Sequence, residues 1–249
     1  MRSLEQLEEE AALRHTNPEH THFDPVCHAL SGADAYVRVG GLPRAAVAWA
    51  DARDRWGDRL IRRHVLPGYA QVMVVGAGFD PRFFRLPKGL LGEGRVVLVD
   101  RAEVLNLRRQ RLTLHGFQDP SQVITAAHDL NRWDHLGDAL ASHMNDSDAP
   151  WLVLIVGMAP HWGMEGLRGM LSRLVRKGMS VGLDWLGPGQ QALDASERHA
   201  FHTRYGEPFE FQPLGLELWL KALGAEAAET TVLLKQGSYE VGLGTLVSW

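Results

Sequence analysis

The sequence is poor in cysteine, in long apolar runs and in excess basic charge. Its 249 residues include one cysteine, Cys27, so an internal disulfide is excluded, and we expect structural packing for Cys27 and a reducing compartment, the cytoplasm. No apolar run approaches the roughly 20 residues of a membrane-spanning helix, and residues 1–10 are acidic rather than signal-like. A net charge of −4 gives no general field for a polyanion. We therefore expect neither a membrane nor a nucleic-acid partner.

Histidine is more frequent than cysteine, with 12 residues, and three histidines lie close together near the N-terminus. His15, His20 and His22 match no compact metal-ligand spacing, and no cysteine or second histidine pair completes a site. We interpret them as solvated loop residues and expect no metal ion.

A predicted buried strand runs directly into a glycine turn at residues 71–86. The continuous apolar run Val72–Val75 is typical of a parallel strand that is covered on both faces. Gly76 and Gly78 follow, and glycine lets a ligand approach the backbone closely. Because open α/β sheets bind ligands outside the carboxyl ends of their strands, we expect a binding site at this turn.

Predicted strands alternate with predicted helices along the rest of the chain. The predicted strands are 71–75, 95–100, 123–126, 151–156, 179–183, 230–234 and 239–247, and the predicted helices are 4–13, 43–65, 101–114, 165–176 and 214–223. This pattern predicts an α/β fold with a doubly wound, mostly parallel sheet, N-terminal helices and a C-terminal antiparallel hairpin.

Acidic residues follow two of these strands. Asp100 lies 24 residues after Gly76, close to the spacing at which nucleotide-binding folds place a carboxylate against ribose hydroxyls. Its alternative role is to cap the helix that begins near Glu103. Asp129 follows the third strand, whereas we interpret Asp134 as a helix cap.

The turn differs from that of a dinucleotide-binding fold. Pro81 stands where the third glycine of G-x-G-x-x-G is needed, and Asp80 lies where diphosphate charge would sit. Both residues disfavour nicotinamide and flavin cofactors. A nucleoside ligand without phosphates, such as S-adenosylmethionine, satisfies these conditions.

The glycine turn also resembles a family signature. Residues 76–86, GAGFDPRFFRL, resemble the GAGxDxRxxRL signature of the leucine carboxyl methyltransferase family, which are class I S-adenosylmethionine-dependent O-methyltransferases. Four further segments resemble that family in the same order: 14–25, 53–58, 99–101 and 129–130. The resemblance covers about residues 11–185.

The resemblance implies a role for each matching residue. It places Arg53 against the carboxylate of the cofactor, Gly76, Ala77 and Gly78 beside the same part, Asp100 with Arg101 at the ribose, and Asp129 with Leu130 at the adenine. The length and the lack of a linker predict a single domain over 1–249, which we expect to be a methyltransferase domain with a helical cap at 1–66, a cofactor-binding core at 67–185, and a substrate wall with the hairpin at 186–249. For Asp80 and Arg82, we give an ion pair that stabilises the turn at least as much weight as a contact with the ligand. Taken alone, the charges of Arg53, Asp54, Arg55 and Asp58 indicate a solvated helix face.

The sequence departs from the family after the fourth strand. Val156 replaces a glutamate that helps to bind the ammonium of the cofactor, and His161 replaces a tyrosine. Valine cannot neutralise an ammonium, so backbone carbonyls near Gly76 do so, or affinity is reduced, or the site has changed use. His161 and Trp162 either face the acceptor or cap and pack the following helix.

These features predict an S-adenosylmethionine-dependent O-methyltransferase that acts on a carboxylate of a small or peptide-like natural product. The predicted substrate residues are Met158, Trp162, Trp185, His199 and His202. One alternative is methylation of a hydroxyl, amine or acidic carbon with His161 as the base. Another is a protein that keeps the fold without methyl transfer, such as a cyclase or a structural partner. The sequence predicts no oligomeric state.

Overall fold

Strands and helices alternate along the computed structural model, which describes residues 3–16, 25–32, 34–40, 44–65, 71–85, 92, 94–144, 150–186, 195, 216–236 and 239–249. Its elements, in chain order, are α1 (Leu4–Thr16), α2 (Pro25–Leu30), α3 (Ala35–Gly40), α4 (Arg44–Val65), β1 (Gln71–Val75), α5 (Arg82–Arg85), β2 (Val96–Asp100), α6 (Ala102–Leu114), β3 (Val123–Ala127), α7 (Trp133–Ser142), β4 (Trp151–Ile155), α8 (Ala159–Leu174), β5 (Met179–Leu186), α9 (Leu216–Ala222), β6 (Ala227–Gln236) and β7 (Tyr239–Ser248).

The strands form one sheet in the order β3-β2-β1-β4-β5-β7-β6. The five strands from β3 to β5 are parallel, and β7 is antiparallel to both β5 and β6. The predicted fold class is therefore confirmed, including the C-terminal hairpin. The chain moves from β1 outward to β2 and β3 and then returns to β4 on the other side of β1. This reversal creates a crevice at the carboxyl ends of β1 and β4, which is where α/β sheets bind ligands.

Both faces of the central strands are buried, which explains their continuous apolar sequences. In β1, Met73 and Val75 belong to a core with residues of α7 and α8, whereas Val72 and Val74 belong to a second core with Trp56 of α4. Successive side chains of a strand point to opposite faces, so each face of the sheet has its own core.

Helix α4 lies close to the sheet because two strand glycines leave room for its apolar side chains. A Cβ at Gly244 of β7 would lie 2.7 Å from Cε2 of Trp56, and one at Gly182 of β5 would lie 2.7 Å from Cδ1 of Leu60. This packing brings Arg53, one turn before Trp56, close to Asp184 near the carboxyl end of β5.

Several element boundaries differ from the predictions for identifiable reasons. Helix α8 begins at Ala159 rather than Glu165 because Pro160 lies in its first turn, where proline is compatible with a helix. Strand β5 continues through Asp184 to Leu186 because β7 pairs with these residues. Such pairing depends on contacts that are distant in sequence.

Cys27 is buried and reduced in α2, as expected for a packing residue. Among the residues that the structure describes, no helix combines the length and apolar character needed to cross a membrane.

Candidate functional site

The glycine turn after β1 has the backbone conformation that requires glycine. The φ angles of Gly76 and Gly78 are 72° and 52°, in the left-handed region. The amides of Gly76 and Ala77 both donate to the carbonyl of Val99, at 2.9 and 3.0 Å, which ties the turn to β2. A Cβ at Gly78 would lie 2.7 Å from Cδ2 of Leu7. At this second glycine, therefore, the group that approaches the backbone is a side chain of α1.

Asp100 is buried at the end of β2 and holds the same turn. Its Oδ2 accepts a hydrogen bond from the amide of Gly78 at 2.7 Å, and its Oδ1 accepts one from the amide of Arg101 at 2.7 Å. The N-cap of α6 is Arg101, so the alternative role of Asp100 as the helix cap is wrong. The Arg101 side chain pairs with Glu103 at 2.9 Å. The ribose role of Asp100 and Arg101 stays a prediction.

Arg53 lies in the interior, between two carboxylates from distant parts of the chain. Its Nη2 donates to Oε1 of Glu10 on α1 at 3.1 Å, and its Nη1 lies 3.7 Å from Oδ2 of Asp184 on β5. The side chains of Arg53 and Glu10 are each 4% exposed, and Asp184 is fully buried. The guanidinium also lies 5.8 Å from the ring of Trp49. Arg53 therefore belongs to the carboxyl edge of the sheet.

A second set of buried charges joins α4 to the glycine turn. Nε of Arg82 donates to Asp80 at 2.5 Å, which confirms the predicted ion pair within the turn. The same guanidinium lies 3.2 Å from Asp54 and 3.5 Å from Asp58. Burial raises the pKa of Asp58, and the Arg82 charge partly offsets that increase. Burial lowers the pKa of Arg85, but the carboxylates of Asp54 and Asp58 raise it by more. The net shift of the Arg85 pKa is therefore upward.

The prediction of a solvated charged face on α4 is wrong. Of the four residues in that prediction, Arg53, Asp54, Arg55 and Asp58, only Arg55 is exposed, and it pairs with Asp51 one turn earlier. Arg53 faces the sheet edge, and Asp54 faces Arg82. The helix is covered on two sides, so neighbouring charges have different buried partners.

The turn after β4 is held by Asp184, which the sequence analysis did not select as a site residue. Its Oδ1 accepts a hydrogen bond from the amide of Gly157 at 2.6 Å. Val156 is half-buried and packs against the core beneath α4. The sequence signal for Asp184 is an acid after a buried strand, the same signal that selects Asp100. Glu10 was also missed, and nothing in its local sequence distinguishes it from Glu8 and Glu9.

The predicted adenine residues lie after β3. Asp129 is exposed, and its Oδ1 accepts a hydrogen bond from the amide of Asn131 at 3.0 Å. Leu130 is buried, and its carbonyl accepts a hydrogen bond from Nε1 of Trp162 at 2.8 Å. This bond connects α8 to the loop after β3 and accounts for the packing of Trp162. Asp134 is not the cap of α7, because the N-cap is Arg132.

A histidine pair lies beside this loop. The Nε2 atoms of His128 and His143 are 3.0 Å apart. Partial burial and the neighbouring imidazole of His143 lower the pKa of His128, which favours the neutral form of His128. One ring can then donate a hydrogen bond to the other.

The predicted catalytic and substrate residues have different positions. His161 lies in the first turn of α8, whose N-cap is Met158, and its role stays a prediction. Met158 itself is buried in the core on the α8 face. Trp185 is half-buried, and its Nε1 donates to Oγ1 of Thr245 at 3.0 Å. The described residues contain no group of three or more potential metal ligands. The remaining residues of interest, His20, His22, His199 and His202, lie outside the described residues.

The sequence of this chain is similar to those of known proteins. The profile of the leucine carboxyl methyltransferase family matches residues 19–173. A protein of Mycobacterium tuberculosis assigned as an S-adenosyl-L-methionine-dependent methyltransferase is 30% identical over 171 residues, which cover 64% of this chain and 52% of that protein. A Mycobacterium bovis protein with the same assignment is 29% identical over 206 residues, or 76% of this chain and 59% of that protein. This chain therefore spans little more than half the length of these relatives.

Solved structures share the fold at low sequence identity. A crystal structure from Thermobifida fusca, assigned as a methyltransferase, has a TM-score of 0.63 and 14% identity, and the match covers 99% of this chain and 94% of that chain. A DUF574 family protein from Streptomyces avermitilis has a TM-score of 0.61 and 15% identity, with 88% of this chain and 91% of that chain covered. At these identities the likeness concerns the fold alone.

Proposed function

Because this chain belongs to the leucine carboxyl methyltransferase family, we propose that it binds S-adenosylmethionine and transfers its methyl group to an acceptor. One observation carries the proposal: a buried arginine, Arg53, lies at the same sheet edge as the strand-end acid Asp100 and the glycine turn. An arginine suits the carboxylate of the cofactor, and an aspartate suits its ribose diol. The chemistry of these residues fits the cofactor.

The order of the strands supports the same placement. Arg53 reaches the end of β5, Asp100 ends β2, and the glycine turn follows β1. In the sheet these strands are separated only by β4, so the three features lie along one crevice. Asp129 and Leu130, after β3, continue that line toward the predicted adenine position.

We propose a carboxylate of a small or peptide-like molecule as the acceptor. When bound, S-adenosylmethionine supplies an electrophilic methyl group, whose bond to sulfur breaks as its bond to the acceptor oxygen forms, with the electron pair left on sulfur. A carboxylate has no proton to remove, so the chain needs to provide only positioning and exclusion of water. Most of the described polar residues at the site already form hydrogen bonds or ion pairs within the protein. A reaction that needs no base is consistent with such a site.

Two measurements test the proposal. Calorimetry with S-adenosylmethionine and S-adenosylhomocysteine should detect binding to the folded protein, and absence of binding at about millimolar ligand would contradict the proposal. Transfer of an isotopically labelled methyl group should then be measured for a panel of small carboxylic acids. Matched alcohols and amines serve as controls, and transfer only to those controls would exclude a carboxylate acceptor.

We predict that Asp100→Ala weakens binding of adenosine by roughly 1–3 kcal/mol, because the ribose hydroxyls lose a charged acceptor. The substitution also removes the acceptor of the Gly78 amide, so a loosened turn has to be separated from a lost ribose contact. The control ligand is 2′,3′-dideoxyadenosine, which has no ribose diol. A larger loss for adenosine than for this control supports the ribose role. Equal losses would assign Asp100 to the turn alone.

A further inference from the structure

The amino-acid end of S-adenosylmethionine requires two partners of opposite charge. Its carboxylate and its ammonium are attached to the same carbon atom, so the cation and the anion that bind them must lie within a few ångströms of each other. Val156 cannot supply the anion, because its side chain is apolar and packs against the core. Backbone carbonyls near Gly76 are one candidate partner for the ammonium, and a side-chain carboxylate in that role would come from another part of the chain.

Two buried carboxylates lie beside Arg53, and they are bound differently. Asp184 lies on β5, and its Oδ1 accepts the amide of Gly157 at 2.6 Å while its Oδ2 lies 3.7 Å from Arg53. It thus connects the turn after β4 to the guanidinium. Glu10 comes from α1 and makes the closer contact, 3.1 Å from Oε1 to Nη2 of Arg53. Arg53 and Glu10 thus form an adjacent cation and anion, as the two charged groups of the ligand require.

Ion pairs and apolar contacts hold helix α1 in a position where Glu10 lies near the carboxyl ends of the strands. Three consecutive glutamates pair with three arginines that belong to other helices. Glu8 pairs with Arg38 of α3 and Arg111 of α6, Glu9 pairs with Arg38 at 2.9 Å, and Glu10 pairs with Arg53. Leu7 fills the space at Gly78, so α1 also contacts the glycine turn directly. The helix is thereby fixed between the surface and the site.

We propose that Glu10 is the residue that receives the ammonium group of the cofactor, next to the carboxylate held by Arg53. This inference rests on the proposed function. Glu10 then replaces the carboxylate that Val156 lacks, and α1 contributes a charged residue to the site. Asp184 acts as a positioning residue for Arg53 and the turn after β4. A carboxylate is an apt partner here because a charge-assisted hydrogen bond to an ammonium is strong when both groups are buried.

The test compares two ligands that differ only in the ammonium. S-adenosylhomocysteine carries it, and its deaminated analogue has a hydrogen atom in place of the amino group. We expect Glu10→Gln to weaken binding of S-adenosylhomocysteine by about tenfold or more and to change binding of the analogue much less. The matched control is Glu5→Gln, which removes an exposed carboxylate from the same helix, and it should leave both affinities unchanged. Asp184→Asn should weaken both ligands alike, since both have the carboxylate that Arg53 holds.

Other results would overturn the inference. Tighter binding of S-adenosylhomocysteine by Glu10→Gln would mean that Glu10 competes with the carboxylate of the ligand. Equal losses for both ligands would mean that Glu10 only positions Arg53. If Glu10→Gln does not fold, the wild-type protein can still contradict the inference, because the inference requires the analogue to bind at least about tenfold more weakly than S-adenosylhomocysteine. A wild-type protein that binds neither ligand would contradict the proposed function instead.

Discussion

Replacing Arg53 with methionine is expected to lower the affinity for S-adenosylmethionine by about 3–5 kcal/mol, because the carboxylate of the ligand would enter a buried site without its cation. Adenosine, which has the ribose and the base but no carboxylate, is the control ligand. Its affinity should fall much less. Calorimetry with both ligands at a temperature where the variant is folded makes the comparison.

The same substitution should also destabilise the ligand-free protein. Arg53 pairs with Glu10 and Asp184 in the interior, and removing the guanidinium leaves both carboxylates buried. Loss of one partner from a buried ion pair costs about 3–5 kcal/mol of unfolding free energy. The matched control is Arg63→Met on the same helix, where an exposed pair with Glu229 is lost and a change below about 1 kcal/mol is expected.

Three results would contradict this account of Arg53. Equal losses for S-adenosylmethionine and adenosine would mean that the substitution damages the fold and that the carboxylate is bound elsewhere. Unchanged affinity for both ligands would remove Arg53 from the site. Unchanged chemical denaturation of the ligand-free variant would show that its ion pairs contribute little to stability.

Replacing Gly57 with alanine is expected to destabilise the protein by about 3 kcal/mol or more, because the new methyl group would overlap Nη1 of Arg82. The guanidinium carbon of Arg82 would lie only 3.2 Å from the added Cβ. Arg82 is 1% exposed and has carboxylates on both sides, so it cannot move into solvent without breaking the pairs with Asp54 and Asp80. Glycine at position 57 lets this side chain cross α4.

The effect should extend from stability to ligand binding. Asp80 and Arg82 belong to the glycine turn and its following helix, and Asp54 is next to Arg53 in α4. Displacing Arg82 therefore loosens the connection between the two parts of the site. Denaturant unfolding and calorimetry with S-adenosylhomocysteine measure the two effects on the same samples.

The control is Gly40→Ala in α3, where nothing lies within 4 Å of the added Cβ. An exposed helical glycine replaced by alanine usually changes stability by at most about 1 kcal/mol, in the favourable direction. If Gly57→Ala behaves like this control, the Arg82 network is not a rigid part of the fold. If Gly57→Ala lowers stability but leaves affinity intact, the network stabilises α4 without holding the glycine turn.

The central strands and the glycine turn could be predicted from the sequence because their signals are local. Val72–Val75 is apolar at every position, which requires cover on both faces, and the two cores provide it. Gly76 and Gly78 adopt positive φ angles that other residues rarely adopt. The ion pair of Asp80 with Arg82 was also predictable, since its members are two residues apart.

The environment of the charges on α4 could not be predicted in the same way. Arg53 and Asp54 have the residue types and spacing of a solvated helix face. A helix face that is buried against other charges has the same local pattern, so the sequence does not distinguish the two. Burial was decided by α1, by β5 and by the turn after β1, which enclose the helix from two sides.

Sequence alone thus determined the strands, the glycine turn, the strand-end acid Asp100 and the family to which they point. Only the tertiary structure brought Glu10 to Arg53, across 43 residues of sequence, and placed Asp184 beside Arg53. The physical reason is that a buried ion pair has no local signature. Its partners are selected by how helices and strands pack, and that packing is a property of the whole chain.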